Sequence, residues 1–164
     1  MANIEEKFKN IKLLIFDLQG VLISNQPGSL SDELTQFYET MKDFCDFATN
    51  NNLIVAIITG LTDEQLHKNI CTKCSCNTLS SSMDKVSQAD KLIEQYGITY
   101  KNIFYIGDDL FDIPLLKKAG LSAAPVSARR EVKRIVDFIC PGNNGMERLK
   151  FIEDSILKNK NSAA

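Results

Sequence analysis

Three short stretches rich in aliphatic residues, at 11–16, 53–58 and 103–106, lack both the alternation of a half-exposed strand and the length of a helix. Runs of this kind mark strands buried on both faces. Each stops at polar or flexible residues: Asp17 after the first, Thr59 and Gly60 after the second, Gly107 and Asp108 after the third. The segments between them carry apolar positions at helical spacing, which predicts helices over 39–50, from 63 to about 73, and over 85–96, the last closed by Gly97. A further helix is predicted over 112–119, with Pro114 in its first turn and Gly120 just past its end, the asymmetry that helix termini favour. Strand and helix in alternation predict an α/β fold, a doubly wound parallel sheet with helices on both faces. In such sheets ligands bind beyond the carboxyl ends of the strands, where Asp17, Thr59 and Asp108 stand.

Residues 25–31 are rich in turn formers and read as a loop or hairpin tip, and 33–37 as a further strand. The polar tail beyond Asp154 is expected to fray. No internal repeat or low-complexity segment interrupts the pattern.

Composition narrows the picture. A chain of 164 residues, 44% of them apolar, can bury one substantial core, so one domain over 1–164 is expected, with its core at about 11–150. The formal charge is −2 and there is no long basic block, which argues against nucleic acid or an anionic membrane as partner. No apolar run reaches the roughly eighteen residues of a membrane span, and the first ten residues are polar. Five cysteines, an odd and scattered set, suit a reducing compartment, and a cytoplasmic location follows. His67, Cys71, Cys74 and Cys76 could supply zinc ligands, yet they lack paired knuckle spacing, so reduced thiols are the expectation.

The candidate chemistry lies in four pieces in one order: Phe16-Asp17-Leu18-Gln19-Gly20-Val21-Leu22, then Ile58-Thr59-Gly60, then Lys85, then Gly107-Asp108-Asp109-Leu110-Phe111-Asp112. Together with the downstream 120–132 segment they resemble the four motifs of the haloacid dehalogenase superfamily. Within it the chain is similar to the small capless phosphatases of 3-deoxy-D-manno-octulosonate 8-phosphate, over residues 11–149. The resemblance implies a Rossmann-like core without a large cap domain, a magnesium ion and a small phosphorylated sugar as substrate. It implies Asp17 as nucleophile and Asp17, Asp108 and the Gln19 carbonyl as metal ligands, with Asp109 orienting metal-bound water. Thr59, Gly60 and Lys85 would hold the phosphate, and Asp112 would fix its loop or cap the next helix. The Gly-rich 142–148 segment resembles a tail that reaches a neighbour's site in a homotetramer, where Arg148 would meet a substrate anion.

Physical chemistry agrees with these roles. A phosphate monoester repels an anionic nucleophile, and a hard cation held by carboxylates offsets that repulsion. A carboxylate nucleophile splits a hard hydrolysis into two easier steps, and a hydroxyl and an ammonium can stabilise the equatorial oxygens.

Three positions depart from the resembled pattern. Gln19 stands where those phosphatases carry a second Asp, the group that protonates the leaving alkoxide and then activates water, a role worth about 10²–10⁴-fold. A Gln amide hydrogen-bonds but does not exchange protons near neutral pH. Leu61 stands where an Arg usually follows the Thr-Gly pair, and 37–42 lacks an Arg-Asp-Gly step. The expectation is a magnesium-dependent phosphatase with slowed turnover; the alternative is an inactive or regulatory relative that keeps the metal and the subunit contacts.

Overall fold

The computed structural model describes residues 4–25, 30–76 and 78–161. Six parallel strands form one sheet: β1 (Leu13–Phe16), β2 (Ile54–Thr59), β3 (Thr78–Ser81), β4 (Ile103–Ile106), β5 (Leu121–Pro125) and β6 (Phe138–Cys140), in the order β3-β2-β1-β4-β5-β6. β1 pairs with β2 on one side and with β4 on the other, Phe16 lying opposite both Ile57 and Ile106. The chain therefore builds outward from β1 in one direction, crosses back, and builds outward from β4 in the other. A crevice opens at that reversal, beyond the carboxyl ends of β1 and β4.

Side chains alternate between two cores, as the pleat requires. Leu14, Phe16, Val55, Ile57, Phe104 and Ile106 pack on one face with helices α1 (Ile4–Lys9), α2 (Leu30–Asn50), α3 (Glu64–Lys73) and α7 (Gly145–Asn161). Leu13, Ile15, Ala56, Ile58, Ile103 and Tyr105 face the opposite way, onto α4 (Lys85–Tyr96), α5 (Ile113–Lys118) and α6 (Arg130–Lys133). The doubly wound α/β architecture is as expected, and no cap domain is present among the described residues.

Three expectations are corrected. Residues 33–37 are not a strand but the early turns of α2, which starts at Leu30. The buried positions Phe37, Met41, Phe44, Cys45 and Ala48 follow the helical period and bury one face of the helix against the sheet. The tail beyond Asp154 does not fray at once: α7 continues to Asn161, with Ile156 and Asn159 buried and Lys160 Nζ donating to Asn51 Oδ1 at 2.8 Å. Asp112 precedes α5 without capping it; of the two expected roles it keeps the other, its carboxylate fixing the loop after β4 through the N–H groups of Asp108 and Asp109. Of the expected loop at 25–31, residues 26–29 lie outside the described residues. Three strands had no clear signature, because β3 is a short, largely polar Thr-Leu-Ser-Ser segment, β5 is built of small residues and β6 is a three-residue edge.

Candidate active site

The loop after β1 is tightly wound. Leu22 and Ile23 donate their N–H groups back to the Leu18 carbonyl at 2.9 and 3.0 Å, and Gly20 N–H donates to the Ile23 carbonyl at 2.8 Å. Gly20 has φ +80°, and a Cβ there would stand 2.1 Å from Asp108 Oδ2. Only glycine lets the loop approach the end of β4 so closely. Asp17, at the head of this loop, is 7% exposed, and its Oδ1 accepts from the Leu18 N–H at 2.8 Å.

Lys85 reaches the same point from the first turn of α4, where Asp84 caps the helix by accepting from the Ser87 N–H. Its Nζ lies 2.9 Å from Asp17 Oδ1 and 2.5 Å from Asp112 Oδ1. Asp112 is wholly buried and fully engaged: Oδ1 also accepts from the Tyr105 hydroxyl at 2.5 Å, and Oδ2 accepts from the N–H groups of Asp108 and Asp109 at 2.9 and 3.0 Å. Asp112 thus ties together β4, the loop after it and α4. Thr59, 1% exposed at the end of β2, accepts from the Leu61 N–H at 3.1 Å.

Electrostatics follow from this crowding. Burial, then the neighbouring Asp112, pushes the Asp17 carboxyl up to about 7, against the opposing pull of Lys85. Burial by itself would lower Lys85, but the two carboxylates reverse that and hold it above its ordinary value. Burial and Asp112 raise Asp108, partly offset by hydrogen bonds with Asp17 and Asn25. Among the described residues, Asp17, Asp108 and Asp112 form the group whose ligand atoms lie within 4.8 Å of one another. An all-oxygen donor set carrying this much negative charge fits a hard divalent cation. Because Asp112 is already saturated, Asp17 and Asp108 are the members with capacity left for one.

The cleft at this point has a volume of about 130 Å³ and is lined by Asp17, Gln19, Thr59, Gly60, Lys85, Asp108 and Asp109, with Asn25, Met83, Phe111 and Asp112. That volume suits a phosphoryl group and falls short of the several hundred Å³ typical of sites that enclose a whole ligand. The rest of a substrate has to lie over the mouth, where Met83 is 51% and Phe111 59% exposed.

Most of the expected site residues therefore converge, with two qualifications. Asp109 stands at the mouth, half exposed, with Oδ1 bonded to Arg129 Nε and to the Leu110 N–H, and it is not a member of the close acid group. Arg148 is absent from the cleft. It is neither an exposed helix residue nor a tail reaching outward: its Nη1 donates to the Val21 carbonyl at 2.8 Å, bracing the loop after β1 from behind. It lines a separate pocket of about 270 Å³ with Ser24, Asn25 and Ser127. Leu61 packs against the core instead of lining the cleft. His67, Cys71, Cys74 and Cys76 form no comparable ligand group among the described residues; Cys74 and Cys76 are buried, and burial pushes the Cys74 thiol up to about 12.

Sequence reasoning missed Asn25, Met83 and Phe111, and it underrated Asp112. Only for Asp112 was there a signal, its place in the Gly107-Asp108-Asp109-Leu110-Phe111-Asp112 run.

Comparisons with known proteins agree with this arrangement. The model of a haloacid dehalogenase-like hydrolase family matches residues 72–147. The chain is 29% identical over 158 residues to the 3-deoxy-D-manno-octulosonate 8-phosphate phosphatase of Salmonella typhi, covering 95% of this chain and 84% of that protein. The cobalt-bound deoxy-D-mannose-octulosonate 8-phosphate phosphatase of Haemophilus influenzae superposes with TM-score 0.82 at 25% identity, covering 94% of this chain and 92% of the other. The Moraxella catarrhalis 3-deoxy-D-manno-octulosonate 8-phosphate phosphatase, solved with magnesium, phosphate and its sugar acid, shares the fold with TM-score 0.84 at 24% identity, covering 99% of this chain and 94% of the other.

Proposed function

We propose, from the similarity of this chain to the haloacid dehalogenase-like hydrolases and to their sugar-acid phosphatases, that it is a magnesium-dependent phosphomonoesterase acting on a sugar phosphate through Asp17, with turnover restrained by Gln19. The observation that carries the reading is the convergence of Asp17, Thr59, Lys85 and Asp108 in one small cleft at the reversal of strand order.

Asp17 and Asp108, with the Gln19 carbonyl, would hold the metal, which when bound supplies charge that offsets phosphate repulsion. Asp109, at the mouth, would orient water. Lys85, fixed by Asp112, presents its ammonium to the phosphoryl oxygens and pulls Asp17 toward its ionised, nucleophilic form against the burial that raises it. The Thr59 hydroxyl keeps a proton to donate to a second phosphoryl oxygen while accepting from Leu61 N–H, and Gly60 leaves the entry unobstructed. Asp17 attacks phosphorus to form an aspartyl-phosphate, and water then cleaves it. With Gln19 in place of a proton carrier, both halves are slowed.

The 3-deoxy-D-manno-octulosonate 8-phosphate-like substrate is supported by the relatives. Leu61, folded into the core, leaves the place of a carboxylate-binding Arg unfilled, which favours a substrate less dependent on that contact. Exposed Leu110, Phe111 and Val126 suit a homotetramer in which a neighbour covers the mouth, and free thiols suit the cytoplasm. Gln19 also favours a second reading, a regulatory relative that binds metal and phosphate without turnover.

The test is magnesium-dependent hydrolysis of a sugar-phosphate panel by the native protein, Asp17→Asn and Gln19→Asp. Slow native turnover, none in Asp17→Asn and a gain of about 10²-fold in Gln19→Asp is the expected outcome. Silence from the native protein with a gain in Gln19→Asp selects the regulatory reading; silence from all three rejects the phosphatase reading, and no magnesium or phosphate binding by calorimetry rejects the regulatory one as well.

A further inference from the structure

A guanidinium taken out of water needs hydrogen bonds and an opposite charge to replace its hydration. Lys85, the other buried cation, has two carboxylates. Arg148, 7% exposed, has none: its Nη1 donates to the Val21 carbonyl at 2.8 Å, its Nε is buried without a partner, and among the described residues it forms no ion pair. Its place is fixed by packing. Gly145 opens α7 against the loop after β1, where a Cβ would stand 2.0 Å from the Leu22 carbonyl oxygen, and Arg148 follows one turn later behind that loop. Beside the guanidinium lies the pocket of about 270 Å³, in which Ser24, Ser127, Asn143 and Asn144 offer hydroxyl and amide groups. The start of α7, a helix of 17 residues, forms one wall, and the dipole of a helix favours negative charge at that end. A fifth polar group, Glu33, whose Oε1 accepts from the Ser24 N–H at 2.6 Å, brings a carboxylate to the same pocket.

We propose that this pocket is a second binding site, separate from the phosphate cleft, for a small hydroxy-carboxylate whose acid group supplies the charge Arg148 lacks. The planar fork of a guanidinium matches a carboxylate. Glu33 sets the rest of the chemistry: it repels a second negative charge, which counts against a phosphate dianion, and it accepts from hydroxyl groups, as the serines and asparagines around it also do. The volume, a little under the several hundred Å³ that enclose larger ligands, suits an acid of a few carbons. Binding there goes beyond the phosphatase reading and needs neither a metal nor Asp17. The acid would lie against the back of the loop that carries Gln19, since Arg148 holds the Val21 carbonyl and Asn25 lines both the pocket and the cleft.

The experiment is an amide NMR titration of the full native chain with lactate, glycerate and gluconate, in a chelator so that no metal is bound, beside a titration with inorganic phosphate. Expected is a saturable shift of the Arg148 Nε–H resonance and of the Ser127, Asn143 and Asn144 signals with at least one of the acids, and weaker binding of phosphate. Arg148→Met should weaken binding by about 10–100-fold, the loss of a hydrogen bond to a charged group. Ser127→Leu, which narrows the pocket and leaves the guanidinium in place, should weaken it too, whereas Asp17→Asn should bind as the native chain does. No shift with any of the three acids overturns the inference, as do shifts confined to Asp17, Thr59 and Gly60, tighter binding of phosphate than of every acid, or binding unchanged in both Arg148→Met and Ser127→Leu. If Arg148→Met does not fold, Ser127→Leu and the Nε–H resonance of the native chain decide.

Discussion

The floor and the mouth of the cleft are built in opposite ways. On the floor, Asp17, Thr59, Lys85 and Asp112 are all under 10% exposed; Asp17, Lys85 and Asp112 are bonded to one another across elements, and Thr59 is held by the Leu61 N–H just past its own strand. At the mouth, Met83, Leu110 and Phe111 are exposed, and the ion pair of half-exposed Asp109 with Arg129 joins two solvated side chains, an arrangement worth little in water. Of the departures from the resembled phosphatases, Gln19 lies on the cleft wall, Leu61 just past the end of β2 and packed against the core, and 37–42 within α2, so none falls on the floor. Floor residues constrain one another, so replacing one leaves a buried charge or donor without its partner. Residues at the mouth lack such constraints, so replacing one should alter what is bound or how it leaves more than it alters the fold.

Lys85→Ala should produce the largest effect, because it strikes the floor. It leaves Asp17 and Asp112 as buried carboxylates without their cation, at a cost of about 3–5 kcal/mol readable by urea unfolding. In a Gln19→Asp background it should also lower kcat by about 10²–10³-fold. A stable, active Lys85→Ala would mean that the floor is not the interdependent unit described.

Tyr105→Phe keeps the ring and removes one donor to Asp112, so a loss of about 1.5–3 kcal/mol is expected for a bond to a charged group. A fall in Tm on the order of 5 °C would register it.

The metal-free protein offers a pH test of the same floor. Burial first, then Asp112, raises Asp17 from 3.8 to about 7, and burial raises Asp108 in the same direction. Between those values the folded state holds protons that the unfolded chain has released, so its stability is full below about 4, falls as pH rises to about 7, and then levels off. Thermal melts in a chelator should show that decline, and Asp17→Asn should flatten it.

Phe111→Ala should have the smallest effect, within about 0.5 kcal/mol in stability, while changing KM for substrates with bulky leaving groups. A large loss of stability would place the mouth under the same constraints as the floor.

Legibility followed physics in each region. β1, β2 and β4 were readable because strands buried on both faces must be continuously apolar, and Gly97 and Gly120 punctuated the helices around them. Residues 33–37 were misread because a few residues of mixed polarity support either period; only the longer run through Ala48 shows the helical one. β3, β5 and β6 escaped notice because short polar, small-residue and edge segments carry no strong pattern. Asp17, Thr59, Lys85 and Asp108 were readable because their residue types recur in order at the ends of such strands.

The sequence by itself determined the alternation of strands and helices, the acids and the lysine at the strand ends, and the substitution of an amide at position 19, since periodicity and residue chemistry are local properties. The tertiary structure decided that Asp112 and Tyr105 lock Lys85, that Arg148 braces the loop after β1 from behind, and that Asp109 turns outward to Arg129. These depend on which distant segments share a crevice. Hydrogen bonds and charges act over a few ångströms of space, whatever the distance along the chain.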